Sequence, residues 1–182
     1  MCNAPEYNSG FTLLELMITI AIAGIVLGVA IPSFTSTIAS NRLTTHTNQL
    51  VTAINLARSE AVKRGLRVTL CKSADGATCV TTGDWSQGWI VFMDQNNNAA
   101  YDSATETLLN VQERAPGQIT MTGNTSVGNY ISYISSGQSQ LTSGAFQAGT
   151  IQVCDNRTGD VGKNIVLSNT GRPRSESNIT CP

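Results

Sequence analysis

Residues 11–31 read FTLLELMITIAIAGIVLGVAI, a run of apolar and small residues broken by one charge, Glu15. At about 1.5 Å per helical residue, such a run matches the ~30 Å hydrocarbon core of a bilayer. A helix packed in a water-soluble core carries polar residues along one face, and this run has almost none. It is therefore expected to span a membrane. An N-terminal apolar run can also be a cleaved secretory signal. Here no small-x-small site follows it; Ile31-Pro32-Ser33-Phe34 comes next. The preceding residues 1–10 contain Glu6 and neither Lys nor Arg, so they lack the basic region of a signal. The segment is expected to be retained.

Helical spacing continues beyond it. Phe34 and Ile38, then Leu43, Leu50, Ile54, Ala57 and Ala61, recur at helical steps and form one apolar stripe. Arg42, Asn48, Arg58 and Lys63 turn elsewhere, and His46, the only histidine, is assigned to the exposed polar side. Gly65 stands where a C-terminal cap belongs, after Lys63 and Arg64, whose charges suit a helix C-terminus. Pro32 is compatible with a kink that does not end the helix. The pattern predicts a helix over 11–64, about 80 Å long. Its first half, 11–31, is apolar all round, and its second half, 32–64, is amphipathic. A small domain has no use for a helix that long; a filament does.

After Gly65 the period changes to two. The stretches 67–71, 89–93, 107–114, 119–122, 130–134, 150–154 and 164–167 read as short strands separated by Gly, Asn, Asp and Pro clusters. The expected class is α+β: a long N-terminal helix whose second half packs on an antiparallel sheet, or a pair of sheets, formed by residues 65–182.

Composition narrows the chemistry. With 13% charged residues and a formal net charge of -1, the chain has no basic excess for bulk nucleic-acid packaging, so any DNA contact is local. Five cysteines occur, Cys2 before the apolar run and Cys71, Cys79, Cys154 and Cys181 after it. In an oxidising compartment the last four can pair in three ways. Cys71–Cys79, closing a short Gly-containing loop, and Cys154–Cys181, tying down the C-terminus, are the favoured pairs, although spacing alone does not choose. Without a C-x-x-C pair or a nearby histidine, no metal site is expected. Asp94-Gln-Asn96-Asn-Asn98 opens like a calcium loop, but Ala99 and Thr105 stand where Gly and Glu belong, which favours a hydrogen-bonded Asx turn. Trp85, Trp89 and Phe92 are capable of stacking bases, yet are expected in the core. No nucleophile–base pair is apparent, so neither an enzyme nor a cofactor is expected.

The string Gly10-Phe11-Thr12-Leu13-Leu14-Glu15 resembles the class III leader junction of type IV prepilins. The resemblance implies a leader over 1–10, cleavage after Gly10 by a prepilin peptidase, and methylation of the new N-terminal Phe11. It also implies a role for Glu15 in assembly, against the terminal amine of a neighbouring subunit; a carboxylate at membrane depth marks a functional partner on physical grounds too. The leader departs from the family by lacking basic residues. Trp85-Ser-Gln-Gly88-Trp89-Ile-Val-Phe92-Met-Asp94 resembles the W-x-x-G-W-x-x-F-x-D pattern of minor pilins of the GspH/FimT type. That likeness implies the type IV pilin fold, storage in the inner membrane with a periplasmic C-terminal domain, and later export in a pilus beside the major pilin and other minor pilins.

Gly171-Arg172-Pro173-Arg174 is similar to the G-R-x-R motif of FimT proteins that bind DNA in natural transformation. The resemblance makes Arg172 and Arg174, with Gly171 and Lys163, the candidate DNA contacts. Alternate residues of an extended, Pro-stiffened loop point to one side. Guanidinium groups grip phosphate oxygens in a bidentate manner, which suits sequence-independent binding. A Cys154–Cys181 bond would pre-position the loop and lower the entropy lost on binding. Two rivals need no such motif: a minor pilin that primes assembly without touching DNA, and a GspH-type pseudopilin of type II secretion.

Overall fold

The computed structural model describes residues 10–115 and 117–182, apart from the side chains at 29, 30 and 32. Most of the expected leader, with Cys2 and Glu6, lies outside the described residues. Helix α1 runs over Leu13–Arg64. Thr12 starts it: its hydroxyl accepts the Glu15 N–H at 3.2 Å, an N-cap that satisfies one of the helix's orphan donors. Glu15 stands in the first turn, where its charge suits the helix N-terminus. The helix continues through position 32 and ends ahead of Gly65, where Lys63 and Arg64 both pair with Glu60.

The chain divides into two compact units, Met1–Ala39 and Ser40–Pro182. In the first, apolar side chains stand exposed, including Leu14, Ile18, Ile25 and Val26. By length and composition α1 is apolar enough to cross a membrane. Phe34 and Ile38, expected to open the buried stripe, are exposed in this unit, and the stripe covered by the core starts at Leu43.

In the second unit Leu43, His46, Thr47, Leu50, Ala53, Ile54, Ala57 and Ala61 are buried, a stripe of three- and four-residue steps. It packs on two four-stranded antiparallel sheets. The first, ordered β3-β2-β1-β5, is built from β1 (Val68–Lys72), β2 (Trp89–Met93), β3 (Leu108–Gln112) and β5 (Tyr130–Tyr133). The second, ordered β4-β6-β7-β8, is built from β4 (Thr120–Gly123), β6 (Gly149–Cys154), β7 (Gly159–Leu167) and β8 (Pro173–Cys181). Val68, Leu70, Trp89, Val91, Ile131 and Tyr133 from the first sheet join Met121, Ile151, Val153, Ile165 and Leu167 from the second in one cluster with the helix stripe. Leu50 and Ile54 are fully enclosed there; cutting either to Ala is expected to cost about 2–5 kcal/mol. On the far side of the first sheet Cys71, Ile90 and Phe92 form a smaller cluster, with the Tyr101 ring 5.3 Å from that of Phe92.

Two disulfides bound the unit. Cys71–Cys79 closes a loop of separation 8, in which Asp75 accepts from the Ala77 and Thr78 amides. Cys154–Cys181 joins the ends of β6 and β8 across a separation of 27. On the loop-closure account the longer of these contributes roughly 3–4 kcal/mol. Gly162 lies against it: a Cβ there would sit 2.6 Å from the Cys181 Sγ.

Three further features differ from the sequence expectations. The loop expected after Gly171 is strand β8, which pairs with β7 from Leu167↔Pro173 to Gly159↔Cys181. It is an edge strand with mostly exposed polar side chains, so it carries no apolar alternation, and Pro173 is tolerated at its first position. Strand β7 begins at Gly159, five residues before the expected start, because a register irregularity around Gly162 hides the period. His46 is buried, at 7% exposure, instead of solvated. It falls three residues after Leu43 and four before Leu50, on the stripe itself.

Burial holds the His46 imidazole below its ordinary pKa, against a smaller opposing effect of Gln49. The folded state therefore takes up its proton later than the unfolded chain does on acidification. Stability contributed by the neutral ring is fully present above about pH 6.5, the unfolded value, and is lost as pH falls through the lower folded value. Urea midpoints of the protein in detergent are expected to fall between pH 7.5 and 5.5, and His46→Gln to flatten that slope. An unchanged slope in the variant contradicts the assignment.

Candidate nucleic-acid interface

Strands β7 and β8 are joined by the turn Ser168–Arg172, which carries the G-R-x-R residues into the edge strand. Hydrogen bonds lock it from within. The Gly171 amide donates to the Ser168 carbonyl at 2.9 Å, and the Ser168 amide to the Arg172 carbonyl at 3.2 Å. The Ser168 hydroxyl donates to the Arg172 carbonyl and accepts from the Arg172 amide, both at 3.1 Å.

Gly171 itself is buried and left-handed, at φ 78°. A Cβ here would meet the Ser139 amide nitrogen and a Tyr133 ring carbon at 2.8 Å and the Gly137 carbonyl at 2.9 Å. Only glycine allows this backbone to press so closely on its support. The Tyr133 hydroxyl, from the first sheet, then donates to the Gly171 carbonyl at 2.7 Å in a buried contact. Burial pushes that hydroxyl above the usual tyrosine range, so it remains a donor at all physiological pH. Arg58 lies close by, its Nε 3.4 Å from the Cβ position of Gly137, and its charge acts on Tyr133.

This support leaves two guanidinium groups outside. Arg172 and Arg174 are both exposed. Arg174 Nη2 pairs with Glu176 Oε1 at 2.8 Å; its side chain is 69% exposed, so the pair is weak and exchangeable. Arg174 and Glu176 face the same side as their partners Val166 and Asn164.

Lys163 does not join them. It pairs with Ser177, one step out of phase with Asn164↔Glu176, so it points to the opposite face. Its Nζ donates to the Ser177 hydroxyl at 3.1 Å beside a cavity lined by Ser40, Leu43 and Thr44. The expectation that Lys163 serves the same contact as Arg174 is corrected by this alternation. The missed elements, Tyr133 and Arg58, are sequence-distant from the motif, and no local pattern pointed to them.

The remaining candidates have structural occupations. Asp94 and Glu106 staple their loop: Asp94 accepts from the Asn98 and Ala99 amides and the Thr69 hydroxyl, and Glu106 from the Gln95 and Asp102 amides. Among the described residues, no group of three or more His, Cys, Asp and Glu is placed to hold a metal ion. Trp85, Trp89 and Phe92 are buried, and the Trp85 indole donates to the Val127 carbonyl. Phe11 is exposed at the start of the apolar unit, with Gly10 before it.

A lone apolar helix followed by a disulfide-tied pair of antiparallel sheets is the architecture of a type IV pilin. Residues 46–171 match the family described as Type II transport protein GspH, and the chain belongs to that family. Residues 7–31 match the Prokaryotic N-terminal methylation motif. The chain is 35% identical over 99 residues to the Pilin-like protein PilA1 of Thermus thermophilus, covering 53% of this chain and 55% of that one. It is 33% identical over 92 residues to the Type IV major fimbrial protein FimA of Dichelobacter nodosus, covering 50% and 49%. The chain thus spans about half the length of the curated relatives it matches. Its fold is similar to that of the crystal structure of the type IV minor pilin FimU of Pseudomonas aeruginosa, at a TM-score of 0.57 and 19% identity, covering 76% of this chain and 90% of that one.

Gly171→Ala is expected to destabilise the protein by more than the ~1 kcal/mol of an ordinary substitution, because the new methyl meets backbone on two sides at a left-handed φ. Thermal melting checks this; a melting temperature equal to that of the wild type means that the turn does not press on Gly137 and Ser139 as described.

Proposed function

We propose that this chain is a minor pilin that binds DNA, without regard to sequence, through Arg172 and Arg174, for uptake in natural transformation. Before assembly the first half of α1 holds it in the inner membrane with the C-terminal unit in the periplasm. A prepilin peptidase cuts after Gly10 and methylates Phe11, and Glu15 then guides docking beside the major pilin and other minor pilins in the extracellular pilus. The leader junction and the exposed apolar unit support this course.

One observation carries the DNA reading: two exposed guanidinium groups stand on and just beyond a turn whose Gly171 is buried and hydrogen-bonded to the first sheet. Such a turn loses little entropy when it binds, so two phosphate contacts can register in a chain that is otherwise nearly neutral. Phosphate contacts carry no base information, which suits uptake of unrelated DNA. Several copies in one filament would add avidity. The Arg174–Glu176 ion pair favours the alternative, a minor pilin or GspH-type pseudopilin that primes assembly and never meets DNA.

Replacing Arg172 and Arg174 together with Gln separates the two. The double variant is expected to lose measurable DNA binding while its stability changes by less than about 0.5 kcal/mol. Wild-type affinity is expected to fall steeply with salt, and each phosphate contact removed to flatten the log–log slope by roughly 0.7–0.9. Pili are expected to persist while transformation falls. Binding by the double variant equal to wild type hands the turn to the alternative.

A further inference from the structure

The buried support of Gly171 continues into a second exposed feature. Ser139, whose amide touches the Gly171 backbone position, begins a small hairpin in which Gln140 pairs with Phe146. Among the aromatic residues of Ser40–Pro182, Trp85, Trp89, Phe92 and Tyr133 are buried and Tyr101 and Tyr130 half-buried; Phe146 alone is exposed, at 69%. The mounting of this exposed phenyl ring is rigid.

The next residue, Gln147, is fully buried. Its side chain accepts from the Ser132 amide at 2.9 Å and donates to the Ser126 and Tyr130 carbonyls at 2.8 Å. The Ser139 hydroxyl donates to the Gln147 carbonyl at 2.6 Å, and the Leu141 amide closes the tip onto Ala145. Neighbouring residues of an extended segment face opposite ways, so pinning Gln147 inward turns Phe146 outward. A cation holds the opposite arm of the hairpin. Arg67 bonds the Gln140 carbonyl and side-chain oxygen at 2.9 Å and Asn97 at 3.0 Å, all uncharged acceptors. Through Ser139, the neighbour of Gln140, the hairpin also reaches Gly171, next to Arg172. At 3.8 Å per residue and about 5 Å across a strand pair, the Phe146 backbone is within roughly 15 Å of Gly171.

A rigidly mounted exposed ring with exposed guanidinium groups within reach of the same strand is the pattern by which proteins hold unpaired nucleic acid, over sites of roughly 4–16 nucleotides. We infer that the Phe146 ring, held by the hairpin that packs on Gly171, stacks a base of single-stranded DNA whose phosphates the Arg172–Arg174 turn grips. In a duplex the base faces are already stacked on one another, and the ring has no such partner. The inference rests on the phosphate grip proposed above and adds the substrate class: single strand over duplex.

The test uses full-length protein in detergent, with a fluorescent 12-nucleotide oligothymidine and a mixed-sequence duplex of equal charge as probes. Phe146→Ala is expected to weaken oligothymidine binding by about 5- to 150-fold, the worth of one base–aromatic stack, and to change duplex binding by less than about twofold. Phe146→Trp is expected to retain single-strand affinity. Wild-type protein that binds neither probe, or Arg172→Gln/Arg174→Gln protein that binds both unchanged, overturns the grip and the stack with it. Wild type that binds and a Phe146→Ala variant with unchanged oligothymidine affinity overturns the stack alone; altered piliation in that variant then assigns the ring to a subunit contact. Equal loss on both probes also overturns it, since the ring then supports the hairpin and not a base.

Discussion

The hydrogen bond from the Tyr133 hydroxyl to the Gly171 carbonyl is the contact on which the placement of the arginine-bearing turn depends. A buried tyrosine needs a partner for its hydroxyl, and here that partner is the backbone of the turn that carries the arginines. Tyr133 belongs to the first sheet and Gly171 to the connection between two strands of the second, so one bond ties the sheets together where no strand pairing does. Because the glycine has no Cβ, the turn sinks against Gly137 and Ser139 and leaves Arg172 outside. A larger residue would lift the turn off its support. The arginines owe their fixed position to a residue more than thirty places earlier in the chain.

The other restraints act on the same strand from its far end. The Cys154–Cys181 bond anchors the end of β8, and Gly162 leaves room for its sulfurs. Strand β8 is an edge strand with few buried side chains, so without a bond at one end and a docked turn at the other it has little to hold it in place. The apolar first unit has a different logic. Its side chains are exposed to whatever surrounds the helix, which suits a bilayer before assembly and neighbouring helices afterwards.

Much of this was legible in the sequence. The long helix followed from its apolar run and the stripe beyond it, and seven strands followed from period-two segments bounded by turn residues. The misreadings share a cause: local pattern is blind to which neighbour covers a face. His46 was assigned to water because histidine is polar, although its spacing from Leu43 and Leu50 puts it on the buried stripe. Phe34 and Ile38 were assigned to the stripe because they are apolar, although the core covers α1 only from Leu43. Strand β8 carries Pro173, serines and Asn178 with no alternation, which reads as loop; it is a strand because β7 supplies its hydrogen bonds. The pairing register also explains Lys163, which lies near Arg174 in sequence and on the opposite face in space. The motif at 171–174 was visible, but its anchor was not, since Tyr133 and Gly171 meet only through the fold.

If the arginine turn binds DNA as proposed, anchoring and not charge alone makes it a binding site. Tyr133→Phe keeps the ring and both arginines and removes one hydroxyl, leaving the Gly171 carbonyl without its donor at a cost of about 1–3 kcal/mol. The most direct measurement is DNA affinity of this variant beside wild type, at one salt concentration and below the melting temperature of both. Weaker binding with a faster-exchanging Gly171 amide is the predicted result. Unchanged affinity with a loosened turn would contradict the account and leave the arginines acting as mobile surface charge.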